Sequence, residues 1–239
     1  MPGRLKTEVD GDAAPTLFCP GAHCLFLDFD GTLVDIAERP ELVRFENTAG
    51  ASIAMLQRRL GGAVAIVTGR AITDIDRILA PLVLPVAGVH GQIIRTVAGN
   101  MELADCDQSA VAEVCSRLQP LVAREHGLLL ETKPGAVALH YRARPELAQL
   151  CRAEACRAAA SSAALHLVHG KMVIEVKFVG YSKGTAIRAF MCNAPFAGRR
   201  PVFAGDDMTD EDGFAVVNAL DGISIEIGSG ETSALYRLA

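Results

Sequence analysis

The chain has 239 residues, 50% of them apolar and 21% charged, so it can bury one large core or two modest ones and is not a disordered polypeptide. Its net charge of −5 offers no global positive field to hold nucleic acid or an anionic membrane surface, so neither is an expected partner. Seven scattered cysteines (Cys19, Cys24, Cys106, Cys115, Cys151, Cys156, Cys192) are odd in number and lack any C-x-x-C spacing, so neither a disulfide framework nor a zinc site is suggested, and reduced, mostly core thiols in a cytoplasmic protein are expected.

Met1 to Ala14 has no apolar h-region, so no signal peptide is expected, and residues 1–22 read as a flexible tail. No apolar stretch approaches the roughly 18 to 20 residues that cross a bilayer. The first clear element is the apolar run Cys24 to Leu27, a strand buried on both faces that ends at Asp28. Thr48 to Leu60 has helical spacing (Ile53, Leu56, Leu60) and stops at Gly61-Gly62. Ala63 to Val67 is a second buried strand, ending at Thr68-Gly69-Arg70, and a helix from about Thr73 to Leu79 is closed by Pro81.

Strand, helix, strand, helix implies a parallel sheet with helices on both faces, and ligands in such sheets sit off the carboxyl ends of the strands. Residues 102–179 read differently. Helical stretches at Ser109 to His126 and Pro145 to Ser161 alternate with strand-like runs over Leu128 to Pro134, Ala136 to Arg142 and Leu165 to Phe178, the last with a turn near Gly170. The alternation predicts an antiparallel sheet with one exposed face and helices on the other, a second α+β domain inserted into the first. The first pattern then returns with a helix from Lys183 to Cys192 and the strand Pro201 to Ala204, leading into Gly205-Asp206-Asp207.

Asp28-Phe29-Asp30-Gly31-Thr32 is the sharpest chemical signal. A lone Asp-Gly caps a strand and makes a turn. Two aspartates after a fully apolar strand alternate onto one side, and their carboxylates repel unless a proton or a cation intervenes. An oxygen-rich site without His or thiol suits Mg²⁺. In Gly205 to Gly213, an EF-hand is excluded because Met208 would occupy the first ligand position. Thr209 or Asp210 as N-cap, with Glu211 and Asp212 in a first helical turn, accounts for part of that acidity, but not for Asp206 and Asp207 on a strand end. Thr68 to Arg70 supplies a hydroxyl and N–H groups, and Lys183 opens a helix with a cation. Each is weak alone; with metal-binding carboxylates they complete a phosphate site. No Walker sequence is present, which disfavours a P-loop hydrolase.

Asp-x-Asp-Gly-Thr after one strand, a hydroxyl residue after the next, a Lys opening a later helix and a late Gly-Asp-Asp resemble the haloacid dehalogenase superfamily of aspartate-nucleophile phosphatases. Gly88-Val89-His90-Gly91, Glu131-Thr132-Lys133-Pro134, Ala136 to Arg142, Gly170 to Glu175 and Gly205 to Asp212 are similar to the trehalose-6-phosphate phosphatase family within it, over about Cys24 to Leu238. The resemblance implies an α/β, doubly wound, Rossmann-like core over 23–101 and 180–239, with 102–179 as an inserted α+β cap of the family's type II. It implies Asp28 as nucleophile and Asp30 as general acid and then base. Mg²⁺ would be held by Asp28, the backbone carbonyl of Asp30 and Asp206, with Asp207 acting through water or as a support. Thr68 and Lys183 would bind phosphoryl oxygens. Gly69, Arg70 and His90 would serve the substrate, whose sugar the cap residues Glu131, Lys133, Arg142, Lys171 and Glu175 would grip.

The substrate implied is trehalose 6-phosphate. Sucrose 6-phosphate or another sugar phosphate is the alternative, and a catalytically inactive sugar-phosphate sensor a further one. A monomer is expected, with association with a trehalose-6-phosphate synthase as a possible partnership, and the cap is expected to open and close about linkers near Glu102 and Gly180. Two departures from the family's wording, Val89 where an acidic residue is common and no Pro near Phe178, imply altered contacts at the cap hinge without loss of activity.

Overall fold

The computed structural model describes residues 7–8, 19–37, 42–103, 107–133, 135–170 and 172–238. The chain divides into two compact units, one of Met1–Leu103 with Ser182–Ala239 and one of Ala104–Tyr181. In chain order the elements are β1 (Thr7–Glu8), β2 (His23–Leu27), α1 (Asn47–Arg59), β3 (Val64–Val67), α2 (Ile72–Leu79), β4 (Val86–Gly88), β5 (Ile93–Arg95) and β6 (Met101–Leu103). There follow α3 (Gln108–Arg124), β7 (Leu129–Lys133), β8 (Ala136–His140), α4 (Ala148–Ala159), β9 (Leu165–Gly170) and β10 (Val173–Phe178). The chain closes with α5 (Lys183–Met191), β11 (Arg200–Gly205), α6 (Glu211–Ala219), β12 (Ile223–Ile227) and β13 (Tyr236–Leu238). Among the described residues no helix is long and apolar enough to cross a membrane.

In the first unit the strands run β1-β13-β12-β11-β2-β3-β4-β5-β6, parallel from β1 to β4 and antiparallel through β5 and β6. Every side chain of β2 and β3 is buried, as their unbroken apolar runs require of central parallel strands. Phe26 of β2 stacks on Phe196 with ring centroids 5.3 Å apart, and Ile66, Phe203 and Phe214 fill the same core. The chain leaves β2 for β3 on one side and later returns to β11 on the other, which makes the β2–β11 border the topological switch point. Leu27 is in register with Ala204, so Asp28 and Asp206 emerge side by side from the same end of the sheet.

Strands β4, β5, β6, β12 and β13 were not anticipated, and Thr7–Glu8, inside the expected tail, pair in parallel with β13. The expectation that the cysteines are mostly core residues fails. The six described ones are all free, but only Cys24 and Cys151 are buried; Cys115 is half-buried, and Cys19, Cys156 and Cys192 are exposed.

The second unit is an antiparallel sheet in the order β7-β8-β10-β9. One face, with Val137, Leu139, Ile174 and Val176, forms a core with Val114, Leu118, Cys151 and Ala155 of α3 and α4. The register aligns the other face in rows: Glu131, Ala138, Glu175 and Val168, then Lys133, Ala136, Lys177 and His166. Alternation predicts that this second face is exposed. Instead Lys133, Ala136, Ala138, Glu175 and Lys177 are buried, and Lys133 and Glu175 pair above the short alanines.

Candidate active site

Three strand ends of the first unit supply the site: Asp28 after β2, Thr68 after β3 and Asp206 after β11. Lys183, first residue of α5, reaches Asp28 with Nζ 2.7 Å from Oδ1 and Asp210 with Nζ 2.7 Å from Oδ1. A capping box between Ser182 and Thr185 fixes the start of α5 and with it the lysine. All three charged groups are buried, Asp210 completely. Burial and the neighbouring Asp210 charge push the Asp28 carboxyl well above its ordinary value, against the pull of Lys183. Burial raises Asp210 likewise. Burial alone would lower Lys183, but Asp210 and Asp28 more than offset it and hold the ammonium charged.

Asp210 was read as a possible helix cap. Its side chain does not cap α6; Oδ2 accepts from the N–H groups of Asp206 (3.1 Å) and Asp207 (3.0 Å) and so ties down the turn after β11. Asp207 caps the short 3₁₀ turn Met208–Asp210 that precedes α6, accepting from the Met208 N–H at 2.7 Å. The i to i+4 spacing of Asp206 and Asp210 was the available signal, since a tight helical turn brings such positions together.

The two aspartates of the first motif do not share one cation. Asp28 has Lys183, whereas Asp30 receives a two-pronged contact from Arg70, Nε to Oδ2 and Nη2 to Oδ1, both 2.6 Å. Separate cations relieve the repulsion that the motif implies. Arg70 also lies over the Phe29 ring, 5.6 Å from its centroid. Its loop is braced from Gly88 to Gly91. Val89 and His90 both adopt positive φ, their N–H groups donate to the carbonyls of Arg70 (3.0 Å) and Thr68 (2.9 Å), and the His90 ring occupies the space beside Gly69. A Cβ at Gly69 would lie 2.7 Å from His90 Nε2, so only glycine fits. Thr68 Oγ1 accepts from the Arg70 N–H at 3.1 Å, which leaves the hydroxyl proton available to donate.

Carboxylate oxygens of Asp28, Asp206 and Asp210 lie within 4.8 Å of one another, all buried. Three buried carboxylates this close concentrate negative charge out of water, and hard oxygen donors are what a divalent cation such as Mg²⁺ takes. The residues therefore fit a metal ion. The side chains of Asp30 and Asp207 lie outside this group. Gly31, at φ +85°, lets the chain pass over Asp206: a Cβ there would sit 2.0 Å from Asp206 Oδ2. Gly31→Ala is expected to displace Asp206 and weaken divalent-cation binding about tenfold or more, read by titration calorimetry.

Glu226, on β12 in register with Gly205, is buried with its pKa pushed up to about 7, by burial first and then by Glu211, Asp210 and Asp206, against Arg237. A raised carboxyl favours the folded state at low pH, and that contribution is lost as pH rises from the unfolded value of 4.5 through 7. Glu226→Gln is expected to leave stability unchanged at pH 4 and raise it by roughly 1–3 kcal/mol at pH 8, measured by urea denaturation.

The remaining expected residues belong to the second unit. On its polar face Lys133 Nζ lies 2.6 Å from Glu175 Oε1 and 3.8 Å from Glu131 Oε2. Lys133 and Glu175 come from β7 and β10, with β8 between them, and they meet because Ala136 and Ala138 are short. His140, not anticipated, has Nε2 2.9 Å from Glu131 Oε2. Lys177, also not anticipated, joins Glu175 on the face through the period of two. Arg142 is half-buried in the turn after β8, and Lys171 lies outside the described residues.

The sequence model of the trehalose-phosphatase family matches residues 26–239. The chain is 40% identical over 217 residues to a trehalose-6-phosphate phosphatase of Escherichia coli, covering 91% of this chain and 82% of that protein. It is 42% identical over 208 residues to a probable trehalose-phosphate phosphatase of Sinorhizobium fredii, covering 85% and 77%. The crystal structure of a trehalose-6-phosphate phosphatase related protein superposes with a TM-score of 0.71 at 28% identity, covering 90% of this chain and 91% of the other. The chain belongs to the trehalose-phosphatase family, whose members are phosphoric monoester hydrolases.

Proposed function

We propose that the chain hydrolyses trehalose 6-phosphate to trehalose and phosphate through an aspartyl-phosphate on Asp28, with Mg²⁺ as cofactor. The observation that carries this reading is the buried cluster of Asp28, Asp206 and Asp210, with Lys183 paired to Asp28 and Asp210, in a chain 40% identical to a trehalose-6-phosphate phosphatase. Asp28, Asp206 and Asp210 would hold the metal, with the Asp30 carbonyl and Asp207 as further candidates. Bound there, it would neutralise phosphoryl charge and offset the repulsion between an anionic nucleophile and an anionic ester.

Lys183 and the Thr68 hydroxyl hold phosphoryl oxygens and align phosphorus with Asp28. An Asp28 oxygen forms a bond to phosphorus as the bond to the sugar oxygen breaks, and Asp30 gives that oxygen a proton. Asp30 then takes a proton from the water that attacks phosphorus and frees Asp28. Arg70 engages both oxygens of Asp30, so Asp30 must turn one of them away from Arg70 to transfer a proton.

The second unit acts as the cap, with Glu131, Lys133 and Glu175 on sugar hydroxyls and Arg142 and Lys171 assisting. A sugar offers hydroxyls and little apolar surface, which the alternating charges of this face suit. Free thiols support the cytoplasm as its compartment, and a synthase of the same sugar phosphate is the partner to seek. The test is phosphate release with Mg²⁺ from trehalose 6-phosphate, sucrose 6-phosphate and glucose 6-phosphate. Trehalose 6-phosphate is expected to have the highest kcat/KM; faster turnover of another sugar phosphate would replace the substrate, and none with any would favour a sensor.

A further inference from the structure

The polar face of the second unit contains an ion-paired chain that extends past the residues expected to grip sugar. Its end is His140, the last residue of β8, in the row next to Glu131. Burial pushes the Glu131 carboxyl up, but the His140 hydrogen bond and the Lys133 charge more than offset it, so the group is held ionised below its ordinary range. An ionised carboxylate only accepts, so the His140 Nε2 facing Glu131 Oε2 at 2.9 Å must carry the proton and donate. Lys133 stands 3.8 Å from the same oxygen and is itself claimed by Glu175 at 2.6 Å. Lys133 therefore holds Glu131 weakly, and the directional contact on that carboxylate is the one from His140.

The strand explains why the imidazole is available. Val137 and Leu139 enter the core while Ala136, Ala138 and His140 face the other way. The two alanines floor the face, and His140 is the first side chain on β8 long enough to reach across to β7. Glu131 is about one-third exposed, so with one oxygen occupied by His140 the other remains accessible to a ligand hydroxyl.

We propose that His140 is a positioning residue for sugar recognition: it fixes the rotamer and the charge of Glu131 so that the free oxygen accepts from a sugar hydroxyl. This rests on the reading of the second unit as the sugar-gripping cap. A group acting through Glu131 changes ground-state binding of the sugar and leaves phosphoryl transfer alone.

The test is a double-mutant cycle on the full chain with Mg²⁺, comparing trehalose 6-phosphate with 4-nitrophenyl phosphate, which offers a phosphate and no sugar hydroxyl. His140→Ala is expected to raise KM for trehalose 6-phosphate about tenfold, the scale of one charge-assisted hydrogen bond, with kcat and the 4-nitrophenyl phosphate rate unchanged. His140→Gln, whose amide can still donate, recovers part of the loss, and in a Glu131→Ala background His140→Ala adds nothing. Losses that add in the double variant, or that fall equally on both substrates, overturn the proposal. If another sugar phosphate proves to be the substrate, the same cycle is read on that one, so the coupling and the substrate assignment fail separately.

Discussion

Replacing Asp28 by asparagine is expected to abolish phosphate release, by about a thousandfold or more, while leaving the metal-free protein as stable as before or more so. The first half follows from the loss of the nucleophile. The second follows from the charge balance: Asp28 and Asp210 share the Lys183 ammonium, and burial together with Asp210 pushes the Asp28 carboxyl far up. An amide is the same shape, still accepts from Lys183, and removes one buried negative charge. Phosphate release and thermal melting in chelator measure the two effects. Near-normal release by the variant would sink the covalent mechanism, and a large drop in melting temperature would mean that the carboxylates are not in excess.

Lys183→Ala has the opposite signature. It removes the ammonium that lies 2.7 Å from both Asp28 and Asp210 and leaves buried carboxylates facing each other. Breaking a buried pair by removing one partner costs about 3–5 kcal/mol, and activity is expected to disappear with it. Both carboxyls already have raised pKa values, so acid protonates them readily in this variant and the deficit narrows as pH falls. Chemical denaturation at pH 5 and pH 8 reads the difference. Equal deficits at both values would place the cost in lost packing of the lysine stem.

The first-unit site was legible where an apolar run ends on a polar residue. Asp28, Thr68 and Asp206 each close a buried strand, and parallel connections bring such ends to one edge. Asp210 was half-hidden: its turn onto the Asp206 and Asp207 N–H groups is a local i to i+4 arrangement, but its pairing with Lys183 depends on α5 arriving from 27 residues away. The Arg70–Asp30 pair was hidden for the same reason, 40 residues separating its partners. In the second unit Glu131 and Lys133 were legible from the period of two. His140 and Lys177 were not: the small size of Ala136 and Ala138, which lets side chains cross above β8, is informative only once the register is known. The strands β4 to β6, β12 and β13 are short or lack an uninterrupted apolar run, and tertiary pairing makes them.

If the carboxylates at the ends of β2 and β11 hold a divalent cation, phosphate release from a sugar phosphate depends on that ion. The most direct test is the rate of phosphate release from trehalose 6-phosphate by chelator-stripped protein as Mg²⁺ is added back. The expected result is no release above background without the ion and saturable restoration with it, lost when Asp206 is replaced by asparagine. Full turnover in excess chelator would contradict the account.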